Sequence, residues 1–176
     1  MTTSTRPNAS DRPGKSRDTF SRNIVVLGVG NVLMSDEGVG VHAAKKLMEM
    51  KLPPGVQVVE GGTDGFRLID VVAGATRLII VDAMKKGGPP GSIYRLDLKD
   101  APAYPDTHKT SVHEIGILEV VHLSELVGET PETTIIGVEP KSLDLGMELS
   151  PEVEAKLPRI IELIFQEIER PATNPT

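Results

Sequence analysis

Short aliphatic runs alternate along this chain with longer stretches in which apolar residues recur every three or four positions. The short runs are typical of buried strands, and the longer stretches are typical of amphipathic helices. This alternation predicts an α/β fold, a three-layer α/β/α sandwich in which helices cover both faces of a twisted, mostly parallel sheet. About five strands are predicted, at positions 24–28, 56–60, 78–81, 92–97 and 133–138. The strand at 92–97 is more polar than the others, which favours an edge position with an antiparallel direction.

Four helices are predicted around this sheet. The first spans positions 38–50 and the second 64–72, while the third begins at a capping box in 111–114. The fourth has Ser150 as its N-cap, and Pro158 predicts a kink inside it. The residues expected on the buried faces of the first and fourth helices are Val39, Ala43, Leu47, Met50, Val153, Leu157, Ile160, Ile161, Ile164 and Ile168.

The length of the chain and its polar ends predict one folded domain. A chain of 176 residues is long enough for one compact core but short for two. Residues 1–22 and 171–176 contain few apolar side chains, so we expect them to be flexible tails around a domain at 23–170.

Composition argues against several classes of protein. The formal charge of -6 and the sequence pI of about 5.3 argue against nucleic acid as a partner. No apolar run reaches the roughly 20 residues that cross a bilayer, and the N-terminus lacks the apolar core of a secretory signal. We therefore expect a cytoplasmic protein without a membrane partner. Because the chain has no cysteine, disulfides, thiolate metal sites and a cysteine nucleophile are excluded.

Acidic residues follow two of the predicted strands directly. Asp36 and Glu37 come after the first strand and its two glycines, and Asp82 comes after the aliphatic run at 78–81. In an open parallel sheet, ligands collect beyond the carboxyl ends of the strands. We therefore expect Glu37 and Asp82 to face a cleft at one edge of the sheet.

His113 is the third candidate, because it lies in the first turn of the third predicted helix. The positive end of a helix dipole disfavours an imidazolium, which keeps the ring neutral and its lone pair available to a metal. Two carboxylates and one imidazole suit a divalent ion of the nickel, zinc or cobalt type, with positions left open for a substrate. His108, in the irregular stretch before this helix, is a further candidate.

Each of these residues also has a structural alternative. Glu37 can stabilise the first turn of a helix through the dipole, and Asp82 can cap the turn after its strand. His113 can be a polar loop residue. Asp36 and Asp64 are secondary candidates for the cleft, for which helix capping or a solvated loop position is expected.

The glycines at positions 28 and 30 raise a nucleotide-binding alternative. A dinucleotide fingerprint needs a small residue at position 33, where this chain has Leu33, and acids at positions 36 and 37 would repel a pyrophosphate. Glu60, at the end of the second predicted strand, imitates the ribose ligand of that fingerprint and keeps the alternative open. Phosphate-loop and serine-nucleophile motifs are absent from the sequence.

Taken in order, six short motifs resemble those of the hydrogenase maturation proteases, over nearly the whole predicted domain. They are Gly28-Val29-Gly30-Asn31, Asp36-Glu37-Gly38-Val39-Gly40, Gly61-Gly62-Thr63, Val81-Asp82-Ala83, Ser111-Val112-His113 and Gly137-Val138-Glu139-Pro140. The resemblance implies an endopeptidase that removes the C-terminal extension of a nickel-iron hydrogenase large-subunit precursor after nickel insertion. It also implies that Glu37, Asp82 and His113 are the catalytic and metal-contacting residues.

The same resemblance implies that the nickel arrives on the precursor, held by the precursor's cysteine thiolates, so no permanent cofactor is expected. Cleavage would then depend on a loaded metal. The alternative is a non-enzymatic metal-binding or chaperone module in hydrogenase assembly that uses the same three residues.

Overall fold

A computed structural model of the chain describes residues 23–62, 68, 71–72, 74–98 and 131–171. Within these residues, five strands form one sheet in the order β2-β1-β3-β5-β4. The outer strand β4 is antiparallel to β5, and the other pairs are parallel. This arrangement confirms the predicted mostly parallel sheet with an antiparallel edge strand. The strands are β1 (Ile24–Val29), β2 (Val56–Gly62), β3 (Arg77–Ala83), β4 (Ile93–Asp97) and β5 (Glu132–Val138).

The three inner strands are aliphatic because both of their faces are covered. All residues of β1 and β3 are buried, as are all but the first of β5, whereas β2 and β4 are largely half-buried. Side chains from opposite faces of the sheet form two separate cores. One core contains residues of the helices that follow β1 and β5, and the other contains Leu68 and Val72. The layers of the predicted sandwich therefore follow from strands buried on both faces.

The first helix, α1 (Val39–Met48), buries Val39, Ala43 and Leu47 as predicted. Met50 was also expected on this buried face, and that expectation is wrong. The helix ends before it, and Met50 is 45% exposed.

Pro158 separates two helices instead of kinking one. These are α2 (Pro151–Glu154) and α3 (Leu157–Glu169). A proline inside a helix lacks an N–H and collides with the carbonyl four residues earlier. The chain instead turns at Ala155 and Lys156, so that Pro158 lies in the first turn of α3, where its missing N–H costs nothing. Within the described ranges, every helix is too short or too polar to span a bilayer.

Arg77 closes the amino-terminal edge of the sheet. Its guanidinium donates hydrogen bonds to Oε2 of Glu132 at 3.0 Å and to the carbonyl oxygens of Glu167 and Arg170 at 3.0 and 2.8 Å. It also donates to the carbonyl of Pro171 at 3.2 Å. Carbonyls at the end of a helix lack donors within the helix. Arg77 supplies donors to these carbonyls at the end of α3.

Glycines let α1 lie close against the sheet at the opposite, carboxyl edge. A Cβ atom on Gly40 would lie 2.1 Å from the carbonyl oxygen of Val81 and 2.4 Å from that of Val29. A Cβ atom on Gly28 would lie 2.2 Å from the carbonyl oxygen of Gly40. The start of α1 is therefore held against the ends of β1 and β3, which is where the candidate site lies.

Candidate functional site

Glu37 lies in a short 3-10 turn, Ser35–Gly38, between β1 and α1. The acid was expected near the start of a helix, and it precedes α1, whose N-cap is Gly38. Glu37 is 8% exposed, and its backbone amide donates to the carbonyl of Met34 at 3.1 Å. The turn also contacts β3. Glu37 is therefore held beside the carboxyl ends of the central strands.

Gly30 makes this position of Glu37 possible. Its φ is +127°, and a Cβ atom here would lie 1.8 Å from the carbonyl oxygen of Glu37. No L side chain fits this space, so only glycine lets the turn fold back onto the end of β1. The glycines of the first motif are thus accounted for by close backbone packing, without a nucleotide.

Asp82 lies near the end of β3, opposite Gly137 of β5 in the parallel register. It is 2% exposed, and its Oδ1 accepts a hydrogen bond from the backbone amide of Ala83 at 2.8 Å. A carboxylate enclosed in a central strand is expensive to keep ionised unless its surroundings compensate. This cost sets Asp82 apart from an ordinary surface acid.

Glu37 and Asp82 are therefore two buried acids at the carboxyl ends of neighbouring central strands. Glu37 lies in the turn that follows β1, and Asp82 lies near the end of β3. Carboxylate oxygens can bind a divalent cation or act as a general base toward water. His113, His108 and Asp64 lie outside the described residues. Among the residues that are described, no three or more acidic or histidine side chains form a group that could hold a metal.

Asp36, a secondary candidate for the cleft, is fully buried and contacts the loop 141–150. Its Oδ2 accepts hydrogen bonds from the backbone amides of Lys141 and Ser142 at 2.8 and 3.0 Å. The backbone amide of Ser150 donates to Oδ1 at 2.7 Å, and the Ser150 hydroxyl donates to Oδ2 at 2.8 Å. The expected solvated or capping role is therefore wrong. For the same reason Ser150, although at the N-cap of α2, makes no side-chain capping hydrogen bond.

Glu139, like Asp36, accepts hydrogen bonds from backbone amides of a nearby loop, in this case the loop that follows β3. Its carboxylate accepts hydrogen bonds from the backbone amides of Lys86, Gly87 and Gly88 at 2.8, 3.2 and 3.3 Å. The hydroxyl of Tyr94 donates to Oε2 at 2.8 Å. Glu139 belongs to the last of the six motifs, and no role was predicted for it from the sequence. The signal was an acid directly after a buried strand, the same signal that selected Asp82.

The charge of Glu139 is stabilised by these donors. Burial of the carboxylate raises its pKa, but the hydrogen bonds from the Lys86 amide, the Tyr94 hydroxyl and the two glycine amides together lower it more. The pKa of Glu139 therefore lies below its ordinary value. The same contact raises the pKa of Tyr94, because ionised tyrosine could no longer donate to Glu139.

Sequence and structure comparisons both identify relatives of this chain. The family model described as hydrogenase maturation protease (HycI) matches residues 41–167. The hydrogenase 2 maturation protease of Escherichia coli K12 is 38% identical over 145 residues, which cover 81% of this chain and 88% of that protein. The hydrogenase expression/formation protein HupD of Thiocapsa roseopersicina is 36% identical over 146 residues. That match covers 81% of this chain and 66% of HupD, so the chain spans just under two thirds of the length of this relative.

The fold agrees with these sequence matches. The solved structure of the hydrogenase maturating endopeptidase HybD from E. coli superposes with a TM-score of 0.77 at 36% sequence identity. The superposition covers 83% of this chain and 91% of HybD. The resemblance predicted from six motifs is thus confirmed, and the chain belongs to the hydrogenase maturation protease family.

Proposed function

We propose that this protein is an endopeptidase that removes the C-terminal extension of a nickel-iron hydrogenase large-subunit precursor after nickel has been inserted. Membership of the maturation protease family supports the class of reaction and of substrate. The structural observation that carries the proposal is the pair of buried acids, Glu37 and Asp82, at the carboxyl edge of the sheet. An acid that is this well enclosed costs stability, and a role in chemistry explains why it is there.

In this proposal Glu37, Asp82 and His113 contact the nickel ion that the precursor carries. The nickel is part of the substrate, and the protease needs no permanent cofactor. Oxygen and nitrogen ligands from the protease complement the soft thiolate ligands of the precursor. A precursor without nickel gives the two carboxylates no cation to bind, so it is discriminated against.

Two routes of attack on the peptide bond are compatible with these side chains. The nickel ion can polarise the scissile carbonyl or lower the pKa of a water molecule. Alternatively, one of the acids can accept a proton from the attacking water as a general base. Both routes require an ionised carboxylate at position 37 or 82.

Replacement of Asp82 by asparagine tests the proposal. Asp82→Asn keeps the shape of the side chain but removes its charge, so we expect the fold to persist and cleavage to fall at least 100-fold, on the order expected for loss of a catalytic group. The measurement is mass spectrometry of the large-subunit precursor after incubation, with nickel-loaded and nickel-free precursor in parallel. Glu60→Gln is the matched control, because Glu60 is an exposed acid two residues before the end of β2.

Wild-type protein should shorten only the nickel-loaded precursor. Shortening of both precursors would keep the protease and reject the nickel requirement. Binding of loaded precursor without shortening would favour the non-enzymatic assembly module. Full activity of Asp82→Asn would overturn the assignment of this residue.

A further inference from the structure

The 3-10 turn that carries Glu37 is joined to the loop 141–150 by backbone hydrogen bonds as well as by the Asp36 side chain. The amide of Ser35 donates to the carbonyl of Gly146 at 2.7 Å, and the amide of Gly146 donates to the carbonyl of Leu33 at 3.0 Å. The amide of Asp36 donates to the carbonyl of Ser142 at 3.2 Å. The loop is therefore hydrogen-bonded to Ser35 itself, to Leu33 before it and to Asp36 after it.

The backbone between these contacts is strained. Ser35 has a φ of 48°, the left-handed region that residues other than glycine seldom adopt. Such a conformation persists only when the surroundings impose it. Here the loop imposes it through two carbonyl groups. The carbonyl of Gly146 accepts a hydrogen bond from the Ser35 amide, and the carbonyl of Asp144 accepts one from the Ser35 hydroxyl at 2.9 Å. The shape of the turn, and with it the position of Glu37, is thus imposed by the loop.

The Asp36 carboxylate is the charged part of this connection. It accepts four hydrogen bonds from the loop and is fully buried. Both of its oxygens are used, so an amide cannot replace it. An asparagine would put an NH2 group against a backbone N–H, most simply that of Ser150.

We infer that Asp36 is a positioning residue, whose carboxylate fixes the loop 141–150 against the turn and thereby holds Glu37 in its place at the edge of the sheet. This inference rests on the proposed function, in which Glu37 contacts the substrate nickel. Asp36 is fully buried, and both of its oxygens are occupied by donors from the loop. It acts on catalysis through the backbone that it shares with Glu37.

Two substitutions vary the connection by different amounts. Asp36→Asn replaces an acceptor by a donor, whereas Ser150→Ala removes only the hydroxyl bond to Oδ2. Because displacement of a reacting group by about 1 Å can cost up to 100-fold in rate, we expect Asp36→Asn to lower kcat at least tenfold. KM should change less than kcat does, because Glu37 is only one of the three proposed contacts to the nickel and the other two are not altered. Ser150→Ala should lower kcat by a smaller factor.

Glu132→Gln is the matched control for general loss of stability. Glu132 accepts hydrogen bonds from Arg77 and Arg170 at the opposite edge of the sheet. This variant should lower the unfolding temperature yet keep kcat within about twofold when activity is measured well below that temperature. A merely structural role for Asp36 predicts the same behaviour for Asp36→Asn, and normal kcat in that variant would overturn the inference.

Hydrogen exchange measured by mass spectrometry tests the connection without activity. Asp36→Asn should speed amide exchange in peptides that cover 31–38 and 141–150, and Glu132→Gln should not. Unchanged exchange at 31–38 in Asp36→Asn would refute the connection between the loop and the turn. Wild-type protein that fails to cleave loaded precursor would refute the proposed function and the catalytic part of this inference, while the exchange result would still decide the structural part.

Discussion

Single atoms decide how closely α1 approaches the sheet. Backbone carbonyl oxygens of β1 and β3 occupy the space that a Cβ atom on Gly40 would need. Backbone atoms cannot rotate away as the end of a side chain can, so an added methyl group has to move the helix. Because Glu37 is three residues before Gly40, such a movement also affects the candidate site.

Gly40→Ala is expected to destabilise the protein by about 2 kcal/mol, since overpacking against backbone costs about 3 kcal/mol and the gain in helix propensity offsets only about 1 kcal/mol. Urea unfolding followed by circular dichroism measures the change. Lys46→Ala, on the exposed side of the same helix, is the control and should stay within about 0.5 kcal/mol. Equal stability of both variants would show that α1 can shift at little cost.

The sequence was sufficient to select Glu37 and Asp82 as candidates, because an acid after an aliphatic run is a local pattern. It was not sufficient to find the partners of Asp36. Those partners lie 105 to 114 residues further along the chain, and no local pattern connects them. The positions of His113 and Asp64 lie outside the described residues, and their roles stay predictions.

At the scale of elements, two buried acids hold two loops that lie beside the candidate site within the described part of the chain. Asp36 binds the loop 141–150, and Glu139 binds the loop that joins β3 to β4. Loops at the edge of a sheet are usually its most variable parts. Here carboxylates from neighbouring segments accept hydrogen bonds from backbone amides of both loops, which restrains these two loops.

The lowered pKa of Glu139 makes this fastening dependent on pH. Its pKa is lower in the folded than in the unfolded protein, so its contribution to stability is complete above the unfolded value of about 4.3 and is lost as the pH falls through the folded value. The stability gap between wild type and Glu139→Gln should therefore be constant from about pH 7 to 5.5 and narrow below about pH 4.5. Urea unfolding across this range measures the gap.

Tyr94→Phe is the graded control for that series. It removes one of the donors that stabilise the charged form, so the pKa of Glu139 should rise part of the way toward its ordinary value. The loss of stability of Tyr94→Phe on acidification should then lie between that of wild type and that of Glu139→Gln. A gap between wild type and Glu139→Gln that stays the same down to pH 3 would contradict the assigned cause.

At the scale of the whole molecule, Arg77 ties the end of the last helix to the middle of the sheet. It bonds to β5 through Glu132 and to the carbonyls at the end of α3. Its side chain is almost completely buried. Its hydrogen bond to the Glu167 carbonyl is buried as well, whereas those to Glu132 and Arg170 are partly buried.

Arg77→Met should therefore lower the free energy of unfolding by about 1 to 3 kcal/mol, because the buried carbonyl of Glu167 loses its donor and Glu132 loses one of its two cations. Chemical unfolding measures the loss. Arg159→Met is the control, since the exposed pair of Arg159 and Glu162 should contribute less than about 1 kcal/mol. Similar losses in both variants would contradict the role assigned to Arg77.

Strand positions were predictable because burial on both faces demands aliphatic side chains, a requirement visible in each segment alone. The polar character of β4 likewise predicted its place at an edge. The order β2-β1-β3-β5-β4 was not predictable, because pairing joins segments far apart in the chain. The limits of the domain at 23–170 and the two tails stay predictions.

The strand order also constrains the sequence of events during folding. Among the described strands, β4 is paired with β5 alone, and β5 follows it in the chain. When β4 leaves the ribosome it has no neighbour in the sheet, and β3 keeps an open edge of aliphatic residues. Neither β3 nor β4 can complete its pairing until β5 (Glu132–Val138) inserts between them. Residues up to Val138 must therefore have left the ribosome before the sheet that carries Asp82 can close.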